Sequence, residues 1–447
     1  MNIFPVFSGI LMLVFSLGTA TAFAEDQNDR LNKLEESLKG QQQTIEQQQK
    51  TIDTLKEQVT QKSHQSSPAA APAPSSPKAS GLFGGSAFTN PNISLILDTF
   101  GYSSNLTNDE LANRGIPGFT AQGLDQSKGF NLRAAELFIF SPVDPYSNLY
   151  VNLPVTEGGM ELEEAFIVTT ALSAGWQVKL GKFKSNFSRL DSQHPHAWDF
   201  WDIALPYRAF LGGEGLGGEK GAQVTYLPAL PIYTQFGLEV LQGENDLLFG
   251  QDAKDGPHAF SFFVKSSFDT SDNSTFYFGP SALFGKTKNQ NIIPGAEVAG
   301  DSALYGIEAV WKWKSTSREA LTIQSEYLLL TQTGNTTDLT TAAIDSLKRK
   351  QDGFYIQGIY RKNRWGIGAR YDLLDVFHDT FKQGGVQQNF GGNPHRETAS
   401  FEYNPSEFTR VRLQLTHDRS DTVTGRTNNE AILQLHFGIG AHAAHSF

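Results

Sequence analysis

Apolar and polar side chains alternate along segments of about ten residues over most of this chain, and this pattern constrains the fold more than any other feature. In the segment 365–373, Trp365 and Ile367 lie on one face. Arg370 and Asp372 lie on the opposite face. A period of two residues is that of a β-strand with one apolar face. Because soluble sandwiches share this period, the alternation predicts strands without distinguishing a sandwich from a barrel.

The connections between these segments decide the architecture. We predict sixteen strands, near residues 93–102, 130–141, 147–154, 161–169, 176–183, 220–228, 231–241, 258–268, 274–285, 302–314, 320–331, 353–362, 364–374, 397–404, 407–418 and 429–447. Short and long gaps alternate, and only the gap at 155–160 is shorter than its place predicts. Short turns at one end and long loops at the other are typical of membrane-spanning barrels. We therefore predict an all-β fold, a 16-stranded antiparallel transmembrane β-barrel over residues 92–447, with both ends on the short-turn side.

The N-terminus carries the one long apolar run of the chain. Residues 1–18 are mostly apolar and are followed by Ala22, Phe23 and Ala24, the small-x-small pattern of a signal-peptide cleavage site. The run is shorter than the roughly 20 residues that a membrane-spanning helix needs. Residues 1–24 include no Lys or Arg, which is unusual for a signal peptide. We predict a signal peptide over 1–24, with an uncleaved anchor helix as the alternative.

Residues 25–63 contain no proline and keep a seven-residue repeat. The a positions are Leu31, Leu38, Ile45, Ile52 and Val59, and the d positions are Leu34, Gln41, Gln48 and Leu55. The flanking positions are polar, so this stripe is best buried by association with other copies of the chain. We predict a periplasmic α-helical coiled coil, more typical of a trimer than of a dimer; a single amphipathic helix packed on the barrel is the alternative. The Pro/Ala/Ser-rich segment 64–91 predicts an extended linker.

The composition restricts the function. The chain has no cysteine, which excludes disulfides and thiolate metal sites. Its net charge of −11 makes it a poor binder of nucleic acid. The glycine-rich run 212–218 lacks the Gly-Lys-Ser/Thr ending of a phosphate-binding loop, and no Gly-x-Ser-x-Gly motif occurs. We therefore predict no nucleic-acid partner, no cofactor and no enzymatic activity.

Three stretches resemble the phosphate-selective (O/P-type) porins: GFNLRAAEL at 129–137, LEEAF at 162–166 and VKLGKF at 178–183. The resemblance covers most of the predicted barrel. It implies a homotrimeric, sixteen-stranded channel in outer-membrane lipid, with a loop folded into the lumen and passive diffusion of small solutes. The first stretch has one arginine, Arg133, where the phosphate porins have a denser basic run, so phosphate selectivity is not expected. The terminal Phe447 resembles the signal that barrel-assembly machinery reads.

Charged side chains on the polar faces of the predicted strands are expected to line the pore. They are Arg133, Lys179, Lys265, Glu308, Lys312, Glu326, Arg370, Asp372, Arg410 and Arg412. Counting Glu239 as well, basic residues outnumber acidic ones on these faces by seven to four. A low-dielectric wall focuses the field of such a surplus, which predicts a mild preference for anions. The alternative is a weakly selective pore whose charges are paired.

The connection 184–219 is unusually aromatic for a loop in water. We expect it to fold inward and narrow the lumen, with a constriction formed by Trp198, Asp199, Trp201 and Asp202. His194 and His196, together with Asp199 or Asp202, are candidate ligands of a divalent metal; a second histidine group consists of His436, His442 and His445. The His-x-His spacing is a weak signal, because metal sites need three or four converging ligands. Polar packing of the two histidines is the alternative.

Other functions use the same features. A metal-uptake-linked barrel would use the loop histidines. A structural envelope tether would use the coiled coil, with the barrel as its anchor, but residues 25–80 include no recognisable wall-binding motif. A gated receptor needs about 22 strands and a folded N-terminal plug. The sequence therefore favours a porin.

Overall fold

A computed structural model describes residues 91–440, apart from residues 122, 124, 125, 252 and 254. The predicted signal peptide (1–24), the predicted coiled coil (25–63) and all but the last residue of the predicted linker (64–91) lie outside the described residues. So do His442, His445 and the terminal Phe447. Most of the described part of the chain forms one antiparallel sheet.

Sixteen strands form this sheet, and the last strand pairs with the first, so the sheet closes into a barrel. They are β1 (Asn92–Ser104), β2 (Gly129–Asp144), β3 (Ser147–Thr156), β4 (Glu164–Thr169), β5 (Trp176–Lys184), β6 (Gly218–Tyr226), β7 (Tyr233–Leu241), β8 (Ala259–Ser271), β9 (Ser274–Ile293), β10 (Ala296–Thr316), β11 (Glu319–Asp338), β12 (Ile344–Lys362), β13 (Trp365–Gln383), β14 (His395–Ser406), β15 (Thr409–Asp418) and β16 (Asn428–Gly440). Two-residue strands, Gly159–Met160 and Val386–Gln387, extend the ends of β3 and β13. The predicted sixteen-stranded antiparallel barrel is confirmed.

The closure of the barrel is visible in the register of β1. Leu97 pairs with Ala135 of β2 on one side and with Phe437 of β16 on the other. Every strand therefore has two hydrogen-bonded neighbours, and the sheet has no free edge. Asn92 lies beside Phe140, close to the short turn after β2, so the described chain begins on the side of the short turns, as predicted.

The prediction of loops at 286–301, 332–352 and 375–396 is wrong over most of the length of each segment. Strands β9 to β13 continue through these segments and reach 19 to 21 residues. The extensions are rich in Thr, Gln, Asn and Lys, so they lack the apolar alternation that identifies a strand. Backbone pairing nevertheless continues, as between Asn335 and Ala299. A membrane-spanning strand needs only about 9–11 residues, so the extensions form a polar rim on the long-loop side.

The outer surface of the barrel is apolar. In β1, Leu95 and Leu97 are each 39 % exposed, whereas the intervening Ile96 is 4 % and the next residue, Asp98, is 3 % exposed. The same alternation recurs around the barrel, with exposed apolar side chains such as Leu180, Phe262, Ile307, Ile367 and Leu433. Apolar side chains on the outside and polar ones on the inside are the inverse of a soluble β-protein.

Four tryptophans lie next to short turns, as the sequence predicts. Trp176 and Trp365 are about half exposed, and each ring packs on a neighbouring tyrosine, Tyr226 and Tyr403 respectively. Trp311 and Trp313 are partly exposed and share the outward parity of β10. Rings at this level suit the interface between hydrocarbon and water.

The helices are short. They are α1 (Asn108–Ala112), α2 (Leu205–Phe210) and α3 (Asp246–Phe249). Within the described residues, none of them has the length and hydrophobicity to cross a membrane. Thr107 caps α1, and its hydroxyl accepts a hydrogen bond from the backbone N–H of Glu110. α2 lies inside the barrel and all six of its residues are buried.

Candidate functional site

The connection 185–217 between β5 and β6, here called the inner loop, fills much of the barrel interior. Most of its buried apolar residues form one cluster with the inner wall. The loop contributes Phe187, Leu190, Trp198, Ile203, Ala204, Leu205, Tyr207, Ala209, Phe210, Leu211 and Leu216, and the wall contributes Leu241, Leu283, Leu304, Leu328, Leu330, Tyr355 and Leu374. The side chain of Trp198 is 2 % exposed. The predicted inward fold of this loop is therefore present in the structure.

Glycines on the inner wall make room for the inner loop. A Cβ atom on Gly368 would lie 3.3 Å from Cζ of Phe200, and one on Gly353 would lie 3.2 Å from Cβ of Pro206. Both distances are tighter than ordinary van der Waals contact, in an interior that is close-packed. Larger side chains occupy the next inward positions on the same strands, Tyr355 after Gly353 and Arg370 after Gly368.

Backbone groups of the inner loop are bound by side chains of the opposite wall. The guanidinium of Arg133 donates to the carbonyl of Trp201 at 2.6 Å, and that of Arg396 donates to the carbonyl of Ile203 at 2.7 Å. The N–H of Trp201 donates to the side-chain oxygen of Gln414 at 2.8 Å. Because buried backbone groups need partners, these wall side chains fix the path of the loop.

Asp202 is the most strongly anchored side chain of the inner loop. Its carboxylate lies 3.0 Å from Arg370 and 2.6 Å from Arg396, and it accepts a hydrogen bond from Gln414 at 2.8 Å. Asp372 binds the same two arginines at 3.0 and 3.3 Å. Burial alone would raise the pKa of Asp202, but the two arginines outweigh it and hold the pKa well below its usual range. The carboxylate is therefore charged at neutral pH.

Asp199, the other acidic residue of the predicted constriction, has a weaker attachment. It lies 2.8 Å from Arg361, whose side chain is 39 % exposed, and it accepts a hydrogen bond from Gln357 at 3.2 Å. The neighbouring carbonyl of Trp198 accepts a hydrogen bond from Arg412 at 3.0 Å. Exposed pairs contribute less to stability than buried ones with several partners.

The charged residues that the sequence predicts along the pore face the barrel interior. They form two groups. Arg133, Glu326, Arg370, Asp372, Arg410 and Arg412 contact the inner loop directly. Lys179, Lys265, Glu308 and Lys312 lie on the wall formed by β5, β8 and β10: Lys265 is 3.7 Å from Glu308, and Lys179 lies over the rings of Phe166 and Phe183. The first group holds the loop as well as lining the interior.

The structure places further charges on the inner wall that the sequence pattern missed. Acidic examples are Asp98, Glu136, Glu164, Glu219, Glu402, Asp418 and Glu430, and basic examples are Lys184, Arg349, Arg361 and Arg396. More acidic than basic residues are added, so the predicted basic surplus disappears. Apolar side chains at the next inward positions, Phe138 after Glu136 and Ile432 after Glu430, hide the inward parity of these two glutamates. In addition, β1 and β2 shift register between Asp98 and Thr99.

A cavity of about 420 Å³ lies between the inner loop and the wall. Its lining includes Arg133, Arg208, Arg396, Asp202, Asp418 and Glu430, with the ring of Trp201 beside them. Charges of both signs therefore border the cavity. A small polar solute fits such a space better than an apolar one.

The two loop histidines meet carboxylates of the wall, and not Asp199 or Asp202 as the sequence suggests. His194 lies 3.2 Å from Glu136 and 2.6 Å from Glu164, and His196 lies 2.7 Å from the other oxygen of Glu136. Burial opposes the charged form of His194, but hydrogen bonds to the two glutamates outweigh it and raise the pKa of His194 to about 10. Of the second histidine group, His436 lies near His196, with ring centroids 6.0 Å apart.

No protein-family model matches the chain. An uncharacterized protein of Aquifex aeolicus (strain VF5) is 38 % identical over 381 residues, which cover 80 % of this chain and 80 % of the relative. The chain belongs to the family of this Aquifex protein.

Solved structures resemble this chain at low sequence identity. The outer membrane channel DcaP of Acinetobacter baumannii has a TM-score of 0.50 and 12 % identity, over 78 % of this chain and 97 % of that chain. OprB of Pseudomonas putida has a TM-score of 0.48 and 10 % identity, over 78 % and 94 %. The likeness to DcaP establishes a porin-type barrel fold. The narrower resemblance to O/P-type porins stays a prediction.

Proposed function

We propose that this protein is an outer-membrane porin that lets small polar solutes diffuse passively through its barrel. One observation carries the proposal: a closed sixteen-stranded barrel presents apolar side chains outward and charged ones inward, and the inner loop narrows its interior. A barrel of this size is wide enough to leave an aqueous passage when its interior is not completely filled. The cavity beside Trp201 and Arg396 marks where such a passage would lie.

The export and assembly of the porin are proposed from the sequence. Residues 1–24 would direct export, residues 25–63 would form a periplasmic coiled coil, and residues 64–91 would link it to the barrel. A homotrimer agrees with the repeat in residues 25–63, and Phe447 would be read by the barrel-assembly machinery.

The inner wall supports weak charge selectivity in preference to the mild anion preference that the sequence suggests. Acidic and basic side chains are close to balance among the described inward-facing residues, and many are paired, as Lys265 is with Glu308. Paired charges largely cancel at the distance of a passing ion. Small neutral or zwitterionic solutes are therefore the proposed class.

Reconstitution into planar lipid bilayers tests this function. We expect discrete conductance steps and, across a salt gradient, a reversal potential close to zero, because neither sign of ion is favoured. The same preparation after heat unfolding is the control and should give no steps. Absence of steps from the folded protein would contradict a porin; a reversal potential close to the equilibrium value of one ion would contradict weak selectivity.

A further inference from the structure

The inner loop and the wall bring a set of metal-ligating groups together in the interior of the barrel. One ligand atom from each of Glu136, His194 and His196 lies within 4.8 Å of the other two. Glu164 is 2.6 Å from the second ring nitrogen of His194. The ring of His436 is 6.0 Å from that of His196, and the rings of His194 and His196 are 5.5 Å apart.

From this arrangement we propose that the protein binds a divalent transition-metal ion of the zinc type between His194 and His196 of the inner loop and Glu136 of strand β2. Glu164 of β4, which contacts the other ring nitrogen of His194, and His436 of β16, whose ring is 6.0 Å from that of His196, lie beside the site. Imidazole nitrogen and carboxylate oxygen are donors that Zn²⁺, Co²⁺ and Ni²⁺ share, whereas Ca²⁺ and Mg²⁺ require mostly oxygen ligands.

The charge of the cluster suits a dication. Glu136 and Glu164 carry two negative charges once a metal replaces the protons that the imidazoles share with them. The nearby Glu163 is already paired with Lys184 at 2.9 Å, so that pair adds little net charge. The cluster is also largely shielded from water, since the side chains of His194 and His196 are 11 % and 5 % exposed. A shielded site with fixed ligands favours tight binding.

Asn152 orients carboxylates of the cluster, and a buried nitrogen of His436 beside the cluster supports a ligand role. Asn152 is fully buried, and its side-chain oxygen has no hydrogen-bond partner among the described residues. Its amide nitrogen donates to Glu136 at 2.6 Å and to Glu163 at 2.8 Å, which orients both carboxylates. The Nδ1 atom of His436 is likewise buried and has no partner in the described part of the chain. Buried polar atoms without partners are uncommon and often mark the place of an ion or water.

A bound metal would join the inner loop to the wall. The histidines belong to the loop, whereas Glu136 and Glu164 belong to β2 and β4. An ion bound to both would hold the loop in its inward position, and binding would therefore stabilise the folded barrel. This consequence does not depend on the solute that the barrel passes.

Titration of the purified full-length protein with Zn²⁺, followed by calorimetry, tests the site. We expect one strong site per chain, and a His194→Gln/His196→Gln double variant should lose at least about tenfold in affinity, as expected when two ligands are removed. The matched control is His395→Gln/His417→Gln, which removes two histidines outside the cluster and should leave the affinity unchanged. Equal affinity of the wild type and the His194/His196 variant would overturn the proposal.

Two further measurements keep the test decisive if the double variant misfolds. Glu136→Gln keeps the size of the side chain and leaves both histidines in place, and it should weaken Zn²⁺ binding. Mg²⁺ is the control ion and should give no heat with the wild type or with any variant. The wild type with Co²⁺ should show the visible absorption of a four- or five-coordinate ion bound to nitrogen and oxygen. Unchanged binding in Glu136→Gln, or a Co²⁺ spectrum that stays that of the hydrated ion, would overturn the proposal.

Discussion

Replacing residues 194–210 of the inner loop by a flexible Gly/Ser linker should raise the single-channel conductance several-fold. These residues include α2 and the buried rings of Trp198, Phe200 and Tyr207, which occupy the barrel interior. Removing them widens the narrowest part of the passage, and conductance rises with its cross-section. The barrel should also lose thermal stability, because wall leucines that pack against the loop would face water.

A matched deletion separates this effect from a general disturbance of the loops. The turn 339–343 between β11 and β12 lies on the same side of the barrel, and its residues are exposed. Shortening this turn should leave the conductance unchanged. If the two variants changed conductance equally, or if replacement of 194–210 left it unaltered, the inner loop would not form the constriction.

Asp202→Ala should destabilise the folded barrel by about 3–5 kcal/mol, the usual effect of removing one partner from a buried ion pair. Arg370 and Arg396 would then share a single carboxylate, that of Asp372. The two arginines border the interior, so the variant should also prefer anions.

The pKa of Asp202 is lower in the folded state than the unfolded value of about 4. Its contribution to stability is therefore present above about pH 4 and is lost as the pH falls through the lowered folded-state pKa. The difference between variant and wild type should accordingly shrink in strong acid.

Asp199→Ala on the same loop is the control for this substitution. Its partner Arg361 is partly exposed, so the loss should be below about 1 kcal/mol. Thermal unfolding in detergent and the reversal potential in a salt gradient measure the two effects. If Asp202→Ala were no more destabilising than Asp199→Ala, the network around Asp202 would not anchor the loop.

Much of the fold follows from the sequence because alternate side chains of a membrane barrel face the lipid and the barrel interior. Leu95 and Leu97 face outward while Ile96 and Asp98 face inward, and the segments of this kind give the correct number of strands. The polar extensions of β9 to β13 were missed, since strands in water need no apolar face and are held by backbone pairing alone.

The site was predicted less completely. The aromatic composition of the inner loop indicated that it folds inward, and Asp202 was among the residues expected at the constriction. Its partner Arg396 is the second residue of a strand whose next inward residues, Thr398 and Ser400, give little signal of an inner face. The carboxylates beside His194 come from strands about 30 and 60 residues earlier in the chain. These residues come together only when the barrel closes, so the spacing of residues within a short segment does not predict their contacts.

The central claim, an apolar outer surface around a loop-filled interior, is tested most directly by spin labels along β13. The chain has no cysteine, so single cysteines can be introduced at each position from 365 to 372 without a background signal. In lipid vesicles, collision with oxygen dissolved in the hydrocarbon should be frequent at positions 365, 367, 369 and 371 and infrequent at 366, 368, 370 and 372. Collision rates without a period of two residues, or with the opposite phase, would contradict the account.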